Sequence, residues 1–191
     1  MKTSFLFLAQ GFEEIEALTV VDVMRRAGMD IKTVSITDEH KVCGAHGIAV
    51  EADKLIDDVD LSDAEWLIVP GGMPGSTNLA NCDRLCTALS KHHAKQGKIA
   101  AICAAPAIVL APLGILDGKD ATCYPGFEDN CHQAIMRDTP VVALNSLITA
   151  NGPAAALRFA LAIVANSMGE GIANEVGSGM LFYPKEVNFY F

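Results

Sequence analysis

One cysteine of this chain stands where a buried strand ends and a helix is about to begin. The stretch Ala100-Ala101-Ile102-Cys103-Ala104-Ala105-Pro106 is apolar before the cysteine and small after it, so the chain can turn sharply there. In doubly wound sheets, sites form beyond the carboxyl ends of the strands. A thiol at a helix start lies near N–H groups that favour the nucleophilic thiolate. Cys103 is the candidate nucleophile, and a buried structural cysteine is the alternative interpretation.

The remaining cysteines do not form a pattern typical of zinc or of a disulfide framework; they are Cys43, Cys82, Cys86, Cys123 and Cys131. With 191 residues, ample core residues and no recognisable signal segment, the chain is expected to be cytoplasmic with reduced thiols. Cys82 and Cys86 are four residues apart but have no second ligand pair, so we interpret them as part of a helix stripe.

The composition is that of an ordinary globular protein, with 51% hydrophobic and 19% charged residues. A formal net charge of −9 argues against nucleic acid as a partner, because binding phosphates needs clustered lysine and arginine. No apolar stretch is long enough for a membrane span, and the richest one, 154–165, contains Arg158. We therefore expect neither a nucleic-acid nor a membrane partner.

Short strand patterns alternate with helical patterns, which predicts an α/β fold with a doubly wound, mostly parallel sheet and helices on both faces. The chain is expected to begin with a buried strand over 3–9 and a helix over 13–27 that ends at Gly28. The later predicted strands are 30–36, 66–69, 98–102 and 121–123, with antiparallel hairpins at 41–51 and 141–150. The later predicted helices are 82–96, 105–113, 153–167 and 172–180.

Four stretches carry a resemblance to a known family. They are Ala9-Gln10-Gly11-Phe12-Glu13-Glu14-Ile15-Glu16, Asp22-Val23-Met24-Arg25-Arg26-Ala27-Gly28, Val69-Pro70-Gly71-Gly72, and the segment around Cys103. The sequence resembles the ThiJ/PfpI superfamily, in the branch of the parkinsonism-associated protein deglycase and its bacterial relatives. The resemblance extends from Phe5 to about Met180. It implies a flavodoxin-like fold of the class I glutamine amidotransferase type, with residues 1–191 as one domain and an unplaced aromatic tail at 185–191.

The resemblance assigns roles to particular residues. Cys103 matches the nucleophile, and Glu16 matches the carboxyl group that hydrogen-bonds its sulfur. The backbone N–H groups of Gly72 and Ala104 match the pair that binds an oxyanion. Burial beside a thiolate is expected to raise the pKa of Glu16, so that this carboxyl stays protonated. Without the resemblance, Glu16 would be interpreted as a solvated helix residue and Gly71-Gly72 as a plain turn.

Two positions depart from the patterns of these relatives. The peptidase branch has a histidine directly after the cysteine, where this chain has Ala104. The parkinsonism-associated protein has another histidine where this chain has Tyr124. The sequence therefore assigns no imidazole base, and Tyr124 remains a possible substrate contact. His46 and His132 are the alternatives, and both are expected to be surface residues.

The resemblance implies cysteine-dependent processing of reactive aldehydes, as a glutathione-independent glyoxalase or a deglycase. A Cys103 thiolate of depressed pKa would add to the aldehyde while Glu16 relays a proton. The alternative is a redox sensor or chaperone active in oxidative stress through an oxidisable Cys103. A peptidase or amidase is disfavoured by Ala104. The family label of thiazole phosphate (thiamine) biosynthesis has no support in these residues.

The same resemblance implies the partners. The expected ligand is a small aldehyde or a glycated substrate, without a metal or an organic cofactor. A homodimer is expected, with the first helix, around 13–26, at the interface and Arg26 reaching across toward an acid near the site.

Overall fold

A computed structural model describes residues 2–182, so the aromatic tail at 185–191 lies outside the described residues. Eleven strands are present in this part of the chain: β1 Ser4–Leu8, β2 Ile31–Ser35, β3 Lys41–Cys43, β4 Ala49–Glu51, β5 Lys54–Leu55, β6 Trp66–Val69, β7 Lys98–Ile102, β8 Asp120–Ala121, β9 Ile135–Met136, β10 Val141–Ala143 and β11 Leu147–Ala150. Seven of them form the central sheet, in the order β10-β11-β7-β6-β1-β2-β5. Only β10 runs antiparallel to its neighbour in that sheet.

Helices cover both faces of this sheet. They are α1 Glu14–Arg26, α2 Gly75–Ala80, α3 Asp83–Ala94, α4 Ala156–Met168 and α5 Glu170–Gly179. Residues of α1, α4 and α5 belong to one apolar cluster, and residues of α2 and α3 belong to a second cluster on the other face. The predicted flavodoxin-like, doubly wound fold is confirmed.

The central strands are continuous apolar runs because the sheet buries both of their faces. Along β1, Leu6 and Leu8 enter one cluster while Phe5 and Phe7 enter the other, as the two-residue period of a strand requires. Each fully buried side chain of this size stabilises the fold by about 1.5–3 kcal/mol relative to exposure. This burial holds the central strands, and therefore the loops that follow them, in fixed positions.

The helix predicted after Cys103 is present, but it is irregular. It is π-helical over Pro106–Leu110 and a 3-10 helix over Ala111–Leu113. Pro112 has no N–H group to donate to the carbonyl four residues earlier, so the regular hydrogen-bond ladder is interrupted. Gly114 then ends the segment with a positive φ of 69°.

Several short elements were not predicted. Helix α2 follows the glycines at 71–72, β5 forms one edge of the central sheet, and β9 pairs outside this sheet with β8, which covers only part of the strand predicted over 121–123. Each is too short for a repeating apolar pattern to reveal it. The antiparallel pairs β3–β4 and β10–β11 do occur at the predicted hairpins.

The topology brings four loops together at one edge of the sheet. Strands β1, β6, β7 and β11 are neighbours and parallel, so their carboxyl ends meet there. Gly11, Gly71, Cys103 and Gly152 all follow these ends within a few residues. Ligand sites in open α/β sheets form at this edge. Within residues 2–182, no helix combines the length and apolar character that crossing a membrane needs.

Candidate active site

Cys103 is held in a strained conformation at the end of β7. Its φ is 63°, in the left-handed region that non-glycine residues rarely adopt, at a cost of about 1–3 kcal/mol. Two backbone hydrogen bonds keep it there: its N–H donates to the carbonyl of Ala150 at 2.8 Å, and its carbonyl accepts from the N–H of Tyr124 at 2.8 Å. The neighbouring strand and the following loop thus fix the turn from both sides. Cys103 is buried, with 8% of its surface exposed.

Glu16 lies in the first turn of α1 and is completely buried. Its Oε2 accepts a hydrogen bond from the N–H of Gly71 at 2.8 Å, and its carboxyl group faces the side chain of Cys103, while its Oε1 has no hydrogen-bond partner in the described residues. Its own N–H donates to Oε2 of Glu13 at 2.8 Å, which caps the start of the helix. The structure therefore places Glu16 against Cys103 and away from solvent.

Gly71 packs between the two reactive side chains. A Cβ atom at this position would lie 2.5 Å from Cβ of Cys103 and 2.6 Å from Oε2 of Glu16. Both distances are shorter than any real contact allows, so any side chain here would push the carboxyl group and the thiol apart. Glycine at position 71 is what permits their contact.

The N–H groups of Gly72 and Ala104 lie near enough to the sulfur of Cys103 to lower the pKa of its thiol. Gly72 has a φ of 92°, and a Cβ there would lie 2.4 Å from the backbone nitrogen of Glu13. The structure thus brings Cys103, Glu16, Gly72 and Ala104 together. A pair of fixed N–H donors beside a nucleophile is the arrangement that stabilises an oxyanion.

The carboxyl group of Glu16 has a pKa raised to about 7, chiefly because burial disfavours its charged form. The negative charge of Glu13 adds to the rise. Hydrogen bonds from Cys103 and from the Gly71 N–H oppose it but do not outweigh burial. Glu16 therefore exchanges its proton near neutral pH, as a proton-transfer group should.

The predicted depressed pKa of Cys103 is wrong. Burial raises the pKa of its thiol to about 12, and the charge of Glu16 and its hydrogen bond to the sulfur add to this. The N–H groups of Gly72 and Ala104 lower the pKa but do not compensate. The prediction rested on the helix start and on a protonated Glu16, whereas burial of the sulfur is the largest cause of the rise in its pKa.

We expect the buried carboxyl group of Glu16 to make the protein less stable as pH rises. The folded state raises its pKa from 4.5 to about 7, so the folded state binds more protons than the unfolded state in that interval. Stability from this group is complete below about pH 4.5 and is lost by about pH 7, a loss of about 3 kcal/mol.

Denaturant unfolding of the wild type and of Glu16→Gln at about pH 5 and about pH 8 tests this. Glutamine keeps an oxygen for the Gly71 N–H and cannot ionise. The variant should gain stability relative to the wild type at the higher pH only. A constant difference between the two proteins would contradict the prediction.

Tyr124 borders the site through its backbone as well as its side chain. Its N–H donates to Cys103, its ring packs edge-on against Phe127 with centroids 6.3 Å apart, and the residue is 45% exposed. An ideal Cβ on Gly152 would be 3.4 Å from the tyrosine ring. His132 is exposed, as is His46. A role for Tyr124 in substrate contact stays a prediction.

A second polar cluster at the start of α1 was missed by the sequence analysis. Nδ1 of His46 lies 2.8 Å from Oε2 of Glu14 and 4.0 Å from Oε1 of Glu13. The carboxylate of Glu14 raises the pKa of His46. Burial raises the pKa of Glu14, but hydrogen bonds from His46 and Ile48 outweigh burial, so that the pKa of Glu14 is lowered.

Ligand atoms of Glu13, Glu14 and His46 lie within 4.8 Å of one another, close enough to hold a metal ion. Because 32 residues separate Glu14 from His46, no local spacing could reveal the contact.

Comparison with known proteins agrees with this geometry. A family model described as the DJ-1/PfpI family matches residues 2–166. The chain belongs to the DJ-1/PfpI family. The loops that follow β1, β6, β7 and β11 all lie inside the matched range, so the family match includes Glu16, Gly72, Cys103 and Ala104.

Relatives of known identity cover nearly the whole chain. DJ-1 homolog A of Arabidopsis thaliana is 34% identical over 187 residues, which is 96% of this chain but 47% of the relative, so the chain spans about half of that protein. The glutathione-independent glyoxalase DJR-1.2 of Caenorhabditis elegans is 34% identical over 154 residues, which is 80% of this chain and 81% of the relative. The structure of oxidized Toxoplasma gondii DJ-1 has a TM-score of 0.90 and 33% identity, covering 95% of this chain and 99% of the other.

Proposed function

We propose that this protein processes reactive aldehydes such as methylglyoxal through Cys103, without glutathione. The observation that carries this proposal is the position of the Cys103 sulfur. It contacts a carboxyl group that exchanges its proton near pH 7 and also the N–H groups of Gly72 and Ala104. Thiol attack on a carbonyl needs a base for the thiol proton and donors for the oxygen that becomes charged. Both are present around one sulfur atom.

In the first step, Glu16 acts as the base. The thiol proton moves to the Glu16 carboxylate as sulfur bonds to the aldehyde carbon, and the carbonyl electron pair moves to oxygen. The N–H groups of Gly72 and Ala104 steady the oxyanion, which then takes the proton back from Glu16. The product is a hemithioacetal on Cys103. Because the proton goes from sulfur to Glu16 and then to oxygen, a raised thiol pKa does not block the reaction.

For methylglyoxal, the Glu16 carboxylate would then take the proton from the former aldehyde carbon, giving an enediol, and return it to the neighbouring carbon, while the hydroxyl proton of the former aldehyde passes to the former ketone oxygen. This converts the hemithioacetal into a thioester, with the aldehyde carbon oxidised and the ketone carbon reduced. Water attacks the thioester, the carbon–sulfur bond breaks, and lactate leaves while Cys103 regains its proton. No external oxidant or cofactor is needed, because the redox change is internal to the substrate.

The relative from Caenorhabditis elegans, named a glutathione-independent glyoxalase, supports this choice of substrate class. The test is incubation of the purified protein with methylglyoxal in glutathione-free buffer, with both methylglyoxal loss and lactate formation measured. Formation of lactate in proportion to methylglyoxal loss is expected. Loss without lactate would indicate trapping on cysteine, lysine or arginine side chains, and no loss would refute the proposal.

Redox sensing through Cys103 is the second candidate function. The structure of a relative in an oxidized form favours it. The raised pKa of Cys103 disfavours it, since peroxides react with the thiolate. Under this alternative, peroxide would convert Cys103 to a sulfinate, and the protein would form no lactate from methylglyoxal.

We further propose that the protein is a homodimer that works in the cytoplasm as one domain. Exposed apolar side chains on α1 and on the β3–β4 hairpin support the dimer, with Ile15 at 57%, Leu18 at 39% and Ile48 at 55% exposed. Arg26, predicted to reach across the interface, pairs with Asp22 of its own helix at 2.9 Å.

We expect the wild type to sediment as a dimer at micromolar concentration. Ile15→Asp should shift it to a monomer, because a carboxylate cannot be buried against an apolar partner surface at low cost. Leu181→Asp, at an exposed apolar residue outside this face, is the matched control. A monomeric wild type would contradict the proposal.

A further inference from the structure

We propose that Glu13, Glu14 and His46 bind one divalent metal ion of the zinc and cobalt class, at a site separate from the chemistry of Cys103. One ligand atom from each of the three side chains lies within 4.8 Å of the other two. Imidazole nitrogen and carboxylate oxygen are donors that ions of this class accept. The proposal does not depend on aldehyde processing and would stand if that activity were absent.

The carboxylate of Glu14 is held in position by the loop that follows β3. Its Oε1 accepts a hydrogen bond from the backbone N–H of His46 at 2.7 Å. Gly44 packs against the same carboxylate so closely that a Cβ atom there would overlap with Oε1. The backbone of the loop thus fixes Oε1, and Oε2 faces Nδ1 of His46 at 2.8 Å. Metal ligands in proteins are commonly oriented by such hydrogen bonds to their other atom.

Glu13 supplies the observation that points to a bound cation. Its side chain is only 9% exposed, and its Oε2 accepts the N–H of Glu16 at 2.8 Å. Its Oε1 accepts no hydrogen bond from any residue between 2 and 182, and it lies 4.0 Å from Nδ1 of His46, too far for one. No lysine or arginine in the same range pairs with Glu13 or with Glu14. A buried carboxylate oxygen without a donor is costly, and a cation beside it removes that cost.

The distances between the donor atoms fit a small ion. Zinc binds nitrogen and oxygen at about 2.0–2.2 Å, which places tetrahedral ligands about 3.3 Å apart. The separations of Nδ1 from the two carboxylate oxygens, 2.8 Å and 4.0 Å, lie on either side of this value. The side chain of His46 is 71% exposed, so it can make the small adjustment that is needed. The ion takes the place of the proton between His46 and Glu14, the imidazole carries its proton on Nε2, and water completes the coordination.

The bound ion would join the loop of His46 to the start of α1. Because the unfolded chain does not hold these three side chains together, binding should stabilise the folded state. We therefore expect Zn²⁺ to raise the thermal unfolding temperature of the wild type. In His46→Ala the same concentration of Zn²⁺ should leave the unfolding temperature unchanged.

Titration calorimetry of the full-length protein with Zn²⁺ tests the site directly. We expect one ion per chain in the wild type. His46→Ala and Glu13→Gln should each weaken binding by at least about tenfold. Alanine at 46 keeps the backbone N–H that binds Glu14, and glutamine at 13 keeps an acceptor for the N–H of Glu16. His132→Ala, which removes an exposed histidine outside the cluster, is the matched control and should bind Zn²⁺ as the wild type does.

A second measurement needs no variant. Co²⁺ bound to the wild type should show only the weak visible bands of nitrogen and oxygen ligands. A strong charge-transfer band from a thiolate would place the metal on a cysteine and overturn the proposal. Unchanged affinity in His46→Ala would also overturn it. If neither Zn²⁺ nor Co²⁺ bound, His46 would serve only as an ion-pair partner of the two carboxylates.

Discussion

Serine in place of Cys103 is expected to reduce glutathione-independent lactate formation from methylglyoxal to the background rate, a loss of at least about a hundredfold. Every proposed intermediate is attached to the sulfur of this residue. A hydroxyl group is a much weaker nucleophile, and Glu16 alone cannot deprotonate it. The measurement is lactate formed over time at equal protein concentration.

Cys43→Ser is the matched control, because Cys43 is a partly buried cysteine on β3 outside the group around Cys103. It should keep the wild-type rate. Thermal unfolding of both variants checks that the comparison is between folded proteins. Retained lactate formation by Cys103→Ser would exclude the covalent route.

Glutamine in place of Glu16 is expected to lower the rate by about a hundredfold or more, the usual contribution of a positioned acid–base group. Glutamine can accept the Gly71 N–H but cannot take a proton from Cys103. In the wild type, activity should rise with pH through about 7, because the carboxylate is the active form of Glu16. In the variant this rise should disappear. Rates measured from about pH 5 to about pH 9 give both results.

Glu14→Gln is the control for this second prediction. Glu14 is also buried in the first turn of α1, but its carboxylate binds the backbone and ring of His46. This variant should keep the pH profile of the wild type even if its stability changes. If Glu16→Gln retained the rise near pH 7, another group would have to be the base.

The sequence predicted the backbone elements of this site better than the pKa values of its side chains. Strand β7 and the turn at Cys103 could be predicted because a continuous apolar run ends there at small residues. The position of Glu16 beside Cys103 came from the family resemblance, since no local spacing connects residues so far apart. The raised pKa of Cys103 depends chiefly on how deeply the sulfur is buried and secondly on its approach to Glu16, and both are properties of the packed fold. The contact between Glu14 and His46 likewise arises only when the loop after β3 folds back onto α1.

The hydrogen bond from the Tyr124 N–H to the Cys103 carbonyl has a consequence for how this site can vary in sequence. The main chain at position 124 supports the turn of the nucleophile, and any residue except proline can supply that N–H group. The side chain at 124 is consequently free to change without disturbing the reactive cysteine. We expect substitutions at position 124 to leave the backbone turn at Cys103 in place, which makes this position the first choice for a saturation library that tests the predicted substrate contact.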